Sequence, residues 1–149
     1  EIVKGQWIAY NVPLSQEGNN EIVIETEIGG IKKTNTILSV VRDTVPPAAP
    51  VITSPENDTV TGESVVKIIG TVKEKVAKIV VNEYTLQKFR PGDRNWQYIA
   101  NKNFGDLKEG LNEFKVVALD AAGNTSEPAT FKVTYRAPAS STTSGSVNP

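Results

Sequence analysis

Three side chains carry oxygen donors suited to a hard cation. Asp120 and Asn124 lie four residues apart, and Asp43 stands in a proline-rich stretch far upstream. Together they could ligate Ca²⁺, although such a site needs roughly six to eight oxygens. The same residues have a local use. In a turn, Asp120 accepts backbone N–H bonds, Gly123 supplies positive φ and Asn124 tolerates the left-handed region. Asp106 and Glu109 form the nearest approach to a carboxylate pair for acid–base work. They sit in a polar loop, where a solvated face is the simpler reading. Trp7, Trp96, Tyr84 and Tyr98 could present an aromatic platform for stacking sugars. Their alternative is a hydrophobic core, and burial of Trp96 predicts a loss of about 3–5 kcal/mol on Trp96→Ala.

Composition narrows the chemistry further. The 149 residues include no His and no Cys. Ser-His-Asp and Cys-His nucleophile systems, His-ligated zinc, disulfides and iron–sulfur ligation therefore lack their essential groups. Net charge is −1, with both signs scattered, so no basic stripe invites nucleic acid. No apolar run approaches the ~18 residues of a membrane span. No signal peptide is visible, and the opening Glu1-Ile2-Val3 is already strand-like, which suggests that upstream residues were removed or left out. Asn57-Asp58-Thr59 and Asn124-Thr125-Ser126 match the N-glycosylation pattern. No catalytic, cofactor-binding or metal site is assigned, and no cofactor is expected.

The elements that must position these residues are strands. Glu21 to Ile28 alternates Ile22, Ile24 and Thr26 against Glu21, Val23, Glu25 and Glu27, the period of a half-buried strand. Gly29-Gly30 is a hairpin signal, and Thr34 to Val41 returns. The alternation from Trp7 to Val12, stopped by Pro13, makes a third strand. Three prolines fall within Pro46 to Pro50, so residues 44–50 read as a stiff linker between 1–43 and 51–136. Beyond it, turn signals recur every eight to twelve residues or so. About seven strands are expected: Val51–Thr53, Val65–Thr71, Lys78–Asn82, Tyr84–Phe89, Asn95–Asn101, the stretch from Gly110, and Thr130–Tyr135. The last two read as a hairpin joined by Asp120 to Ser126. Residues 137–149, rich in Ser and Thr, read as a flexible tail.

The two segments repeat one another at a spacing of about ninety residues. Gly18-Asn19-Asn20-Glu21-Ile22 matches Gly110-Leu111-Asn112-Glu113-Phe114. Trp7 matches Trp96, Leu14 matches Leu107, Ile24 matches Val116, and Leu38 and Val40 sit like Phe131 and Val133. Residues 1–43 match only the second half of the later segment. They are expected to expose an apolar face and a bare edge, as the end of a larger domain or one completed by strands of another chain.

The D-A-A-G-N-T-S run at Asp120 to Ser126, the Gly-x-Asn at Gly110 to Asn112, Trp96 and the Asp-Thr-Val-Pro-Pro at Asp43 to Pro47 resemble bacterial Ig-like domains. These occur in tandem in surface adhesins and as accessory modules of secreted enzymes. The resemblance covers Asp43 to Arg136 well. It is weaker over Glu1 to Arg42, where Ile28-Gly29-Gly30-Ile31 replaces the D-A-A-G-N turn. It implies an all-β, immunoglobulin-like antiparallel β-sandwich preceded by part of a second one. The implied function is a non-enzymatic spacer or adhesion module of an extracellular or cell-surface protein. Its partners would be neighbouring Ig-like domains and a host or matrix protein or a glycan. A carbohydrate-binding or accessory module of a secreted polysaccharide-degrading enzyme is the alternative. Some arrays of this kind stiffen their joints with calcium, which keeps Asp43, Asp120 and Asn124 in view.

Overall fold

The computed structural model describes residues 2–3 and 6–139 and divides the chain into two compact units, Glu1–Val45 and Pro46–Pro149. The tail from residue 140 onward, read above as flexible, lies outside the described residues, as does Glu1.

In the first unit, β1 (Ile2–Val3) and β2 (Gln6–Trp7) form a two-residue ladder. β3 (Gly18–Ile28) and β4 (Ile31–Arg42) form a long antiparallel hairpin, with Ile28 opposite Ile31 across the turn. Gly29 and Gly30 take φ of 60° and 82°. Two successive positive φ values match the twist of the strands they join, and glycine reaches them without strain. Residues 8–17 form no strand, so the alternation from Trp7 to Val12 does not yield one. Asn11 adopts φ of 57° and Pro13 follows, and neither continues a ladder.

The second unit starts its packing earlier than the sequence suggested. Pro47 and Pro50, within the expected linker, are buried, and the Ala48 N–H donates to Glu74 Oε1 at 2.6 Å. Eight strands follow: β5 (Val51–Ser54), β6 (Thr59–Thr61), β7 (Val65–Thr71), β8 (Lys78–Val81), β9 (Tyr84–Thr85), β10 (Asn95–Asn101), β11 (Gly110–Leu119) and β12 (Ala129–Tyr135). One sheet has the order β10-β7-β5 and the other β6-β12-β11-β8-β9. β6 went unread in the sequence. It is three residues long and pairs in parallel with the distant β12. Tyr84 to Phe89 gives only the two-residue β9.

The core joins the two sheets, with Val66, Ile68, Trp96 and Ala100 from one meeting Ile79, Val81, Phe114, Val116, Phe131 and Val133 from the other. This is an immunoglobulin-like β-sandwich. Inward residues alternate as period 2 requires: β7 buries Val66, Ile68 and Gly70, and β10 buries Trp96 and Ala100 with Tyr98 partly covered. Trp96 lies opposite Gly70 across the ladder, and a Cβ at Gly70 would collide with the indole. The indole N–H donates to the Thr71 carbonyl at 3.3 Å. Leu107, in the loop before β11, is 1% exposed and completes the core.

Candidate functional site

The D-A-A-G-N-T-S run is a hydrogen-bonded turn at the end of β11. Asp120 Oδ1 accepts from the N–H groups of Gly123 (2.8 Å) and Asn124 (2.9 Å), and Oδ2 accepts from the Asn124 side-chain amide (2.9 Å). The Asn124 side chain first, with the backbone donors of Asn124, Gly123 and Ala122 adding to it against a desolvation cost, holds the Asp120 carboxyl below the ordinary carboxylate range. Gly123 takes φ of 96°. Ser126 then restores the ladder. It is buried, its Oγ accepts from the Ala118 N–H at 2.9 Å, and its own N–H donates to the Ala118 carbonyl.

This geometry serves the turn rather than an ion. Both oxygens of Asp120 receive donors from the turn itself. Asp43 belongs to the other unit and accepts from the Val45 N–H at 3.1 Å. Among the described residues, no three His, Cys, Asp or Glu side chains gather as a metal set would.

Asp106 stands near enough to Tyr98 for its charge to act on the phenol, whereas Glu109 accepts the Ala137 N–H at 3.1 and 3.3 Å. Asn57 Oδ1 accepts from the Lys132 N–H at 2.8 Å, so this side chain pins the loop to β12. Of the aromatics, Trp96 is core at 3% exposure and Trp7 is 54% exposed in the first unit. The repeat that pairs these two in sequence does not give them one environment.

Tyr84 and Tyr98 do come together. Their ring centres are 6.1 Å apart, and Tyr98 stands 5.9 Å from Phe114 in the core. They line an open cleft of about 790 Å³ between β9 and β10, with Phe104, Ile99 and Leu111 as further apolar walls. Burial first, then the Asp106 charge, raises the Tyr98 phenol above its ordinary value. Phe104 was missed in the sequence. The available signal was a large aromatic set in the polar, turn-forming run Lys102-Asn103-Phe104-Gly105-Asp106. The side chain of Asn101 caps this 3-10 turn by accepting the Asn103 N–H, and Gly105 ends it at φ of 84°.

The two units share one local device. In the second, Asn112 Oδ1 accepts from the Lys108 N–H (2.7 Å), and its amide donates to the carbonyls of Lys108 (2.7 Å) and Gly110 (3.0 Å). In the first, Asn20 Oδ1 accepts from the Gln16 N–H (3.3 Å) and its amide donates to the carbonyls of Gln16 (2.8 Å) and Gly18 (3.0 Å). Both asparagines are buried, and both glycines hold positive φ, 86° at Gly18 and 88° at Gly110. The pairing also agrees: Asn20 faces Val40 and Ile22 faces Leu38, as Asn112 faces Val133 and Phe114 faces Phe131. The hairpin β3–β4 is thus the counterpart of β11–β12.

Comparison with known proteins adds structural neighbours. A search of protein-family models finds none that matches, and a search of curated proteins also finds none. The fibronectin(III)-like modules of CbhA from Clostridium thermocellum are similar over 60% of this chain and 99% of the module, at 20% identity and a TM-score of 0.41. The SrpA adhesin of Streptococcus sanguinis is similar over 64% of this chain and 61% of its own, at 20% identity and a TM-score of 0.35. SGBP-B from a mixed-linkage glucan utilization locus of Bacteroides ovatus, solved with a mixed-linkage heptasaccharide, is similar over 80% of this chain and 31% of its own, at 21% identity and a TM-score of 0.32.

Proposed function

We propose that this chain is a stretch of a tandem array of β-sandwich modules, acting as a non-catalytic spacer or adhesion segment of a bacterial surface or secreted protein. The carrying observation is the buried asparagine clamp, repeated with the same three hydrogen bonds and the same strand register at Asn20 and Asn112. A second occurrence of the whole device in one chain is what module duplication produces.

The first unit supports the reading through its surface. In the second unit, the inward row Phe114, Val116, Phe131 and Val133 is fully buried beneath β7 and β10. The matching row in the first unit is Ile22, Ile24, Leu38 and Val40, of which Leu38 is 49% exposed and the other three are half-buried. A two-stranded hairpin gains little stability by itself. The face of β3–β4 fits a covering sheet like β10-β7-β5, contributed by another stretch of polypeptide. Each completed sandwich is then one bead of the array, with its own core.

The mechanical role follows from the joint. Proline holds φ near −65° and has no N–H to donate, so a proline-dense junction bends less than a Gly/Ser linker. Small-angle scattering from residues 46–136 fused to residues 43–136 tests this. An elongated particle that collapses when Pro46, Pro47 and Pro50 become glycine is expected. A compact particle before substitution would remove the spacer role.

A further inference from the structure

We propose that the cleft between β9 and β10 binds a neutral oligosaccharide. The proposal does not depend on the spacer reading and would survive its failure. Three features of the cleft carry it.

The first is a prepared aromatic wall. Tyr84 is 52% exposed and Phe104 is 81% exposed, large areas for aromatic rings outside a core. Tyr84 leans on Tyr98, and Tyr98 leans on the buried Phe114. The Tyr84–Tyr98 wall is therefore fixed before any ligand arrives, which lowers the ordering cost of binding. The C–H face of a pyranose carries partial positive charge and complements the electron-rich face of such a ring.

The second is the placing of polar groups around that wall. Asp106, Gln97, Glu113 and Lys108 line the same cleft. Carboxylate, amide and ammonium groups supply the acceptors and donors that sugar hydroxyls require. A volume of about 790 Å³ lies in the range of small-ligand sites.

The third is charge. Asp106 and Glu113 are balanced by Lys88 and Lys108 among the lining residues. A balanced lining gives no net attraction to an anionic sugar and penalises none of the groups of a neutral one. An apolar peptide adding along β10 would use the apolar walls but offer the Lys88 and Lys108 ammonium groups no side-chain acceptor.

The test is an NMR titration of the whole chain with cellopentaose, mannopentaose, xylopentaose and maltopentaose, and with a pentagalacturonate and an extended apolar peptide as the charged and peptide arms. At least one neutral sugar should shift the resonances of Tyr84, Gln97, Tyr98 and Leu111. Phe104→Ala and Tyr84→Ala should each weaken that sugar about tenfold or more. Both side chains lie largely outside the core, and thermal melts of the variants would show that the fold is retained. Four results would overturn the proposal: no shift with any neutral sugar, affinity unchanged by both substitutions, tighter binding of the galacturonate, or saturation of the cleft by the peptide alone.

Discussion

Trp96 and Gly70 illustrate what a residue can and cannot announce. A lone Trp in an alternating strand, at a repeated position, was readable as an anchor, and the structure buries it. The need for Gly70 was not readable. It stands in the inward series Val66, Ile68, Gly70, where an apolar side chain would satisfy the pattern. Only the cross-strand pairing with Trp96 reveals that the indole occupies the space of its missing Cβ. We predict that Gly70→Ala lowers stability by about 3 kcal/mol, the upper part of the overpacking range, as measured by urea denaturation. An unchanged midpoint would mean that both the indole and the Val51 carbonyl, equally close to the added Cβ, have room to move. Asp120 makes a different prediction at the same scale. Its carboxyl titrates lower in the folded chain than in the unfolded one. The resulting stability is present above the unfolded value of about 4 and is lost as pH falls through the folded value. Asp120→Asn should flatten the acid limb of a melting-temperature profile while leaving the alkaline limb alone. A parallel offset of the whole profile would deny the linkage. EDTA should leave the melting midpoint of the chain unmoved, because the carboxylate of Asp120 is engaged by its own turn.

At the level of elements, strands of four residues or more in the second unit were legible, and the two- and three-residue ones were not read with their bounds. β7, β10, β11 and β12 combine seven or more residues with clean alternation, so period and turn chemistry agree. The stretch from Trp7 to Val12 has the alternation, but only Trp7 belongs to a strand, and pattern alone cannot supply a ladder for the rest. β6 has the partner, and its three residues are too few to show a pattern. The Gly-x-Asn-Glu run was visible as a repeat, while its mechanism was not. The asparagine links the loop before the strand to the strand itself, bonding the Lys108 N–H and the Lys108 and Gly110 carbonyls. Removing the side chain leaves an N–H and two carbonyls partly buried and unpaired. Asn112→Ala should therefore cost about 2 kcal/mol in chemical denaturation, and a cost within error of zero would demote the clamp to decoration. The aromatic cleft was half legible. Tyr84 and Tyr98 were named from composition, but Phe104 and Asp106 join them only because a 3-10 turn folds the loop back beside β10.

For the whole molecule, the two units carry one hairpin in two settings. Around β11–β12 the sandwich is closed, with Phe114, Val116, Phe131 and Val133 hidden. Around β3–β4 the same register persists, yet Val23, Ile37 and Val41 are exposed on one face and Leu38 on the other. The sequence showed this asymmetry because the repeat matched only half a domain, and on the inward face the exposed Leu38 and half-buried Ile22, Ile24 and Val40 agree with it. Native-state hydrogen exchange on the intact chain, residue by residue and at two protein concentrations, is the most direct test. If β3–β4 is the uncovered half of a module, its amides should exchange about 100-fold or more faster than their counterparts in β11–β12, at both concentrations. Equal protection in the two hairpins would contradict the account, because the first unit would then be stable without the sheet that the second one shows it to need.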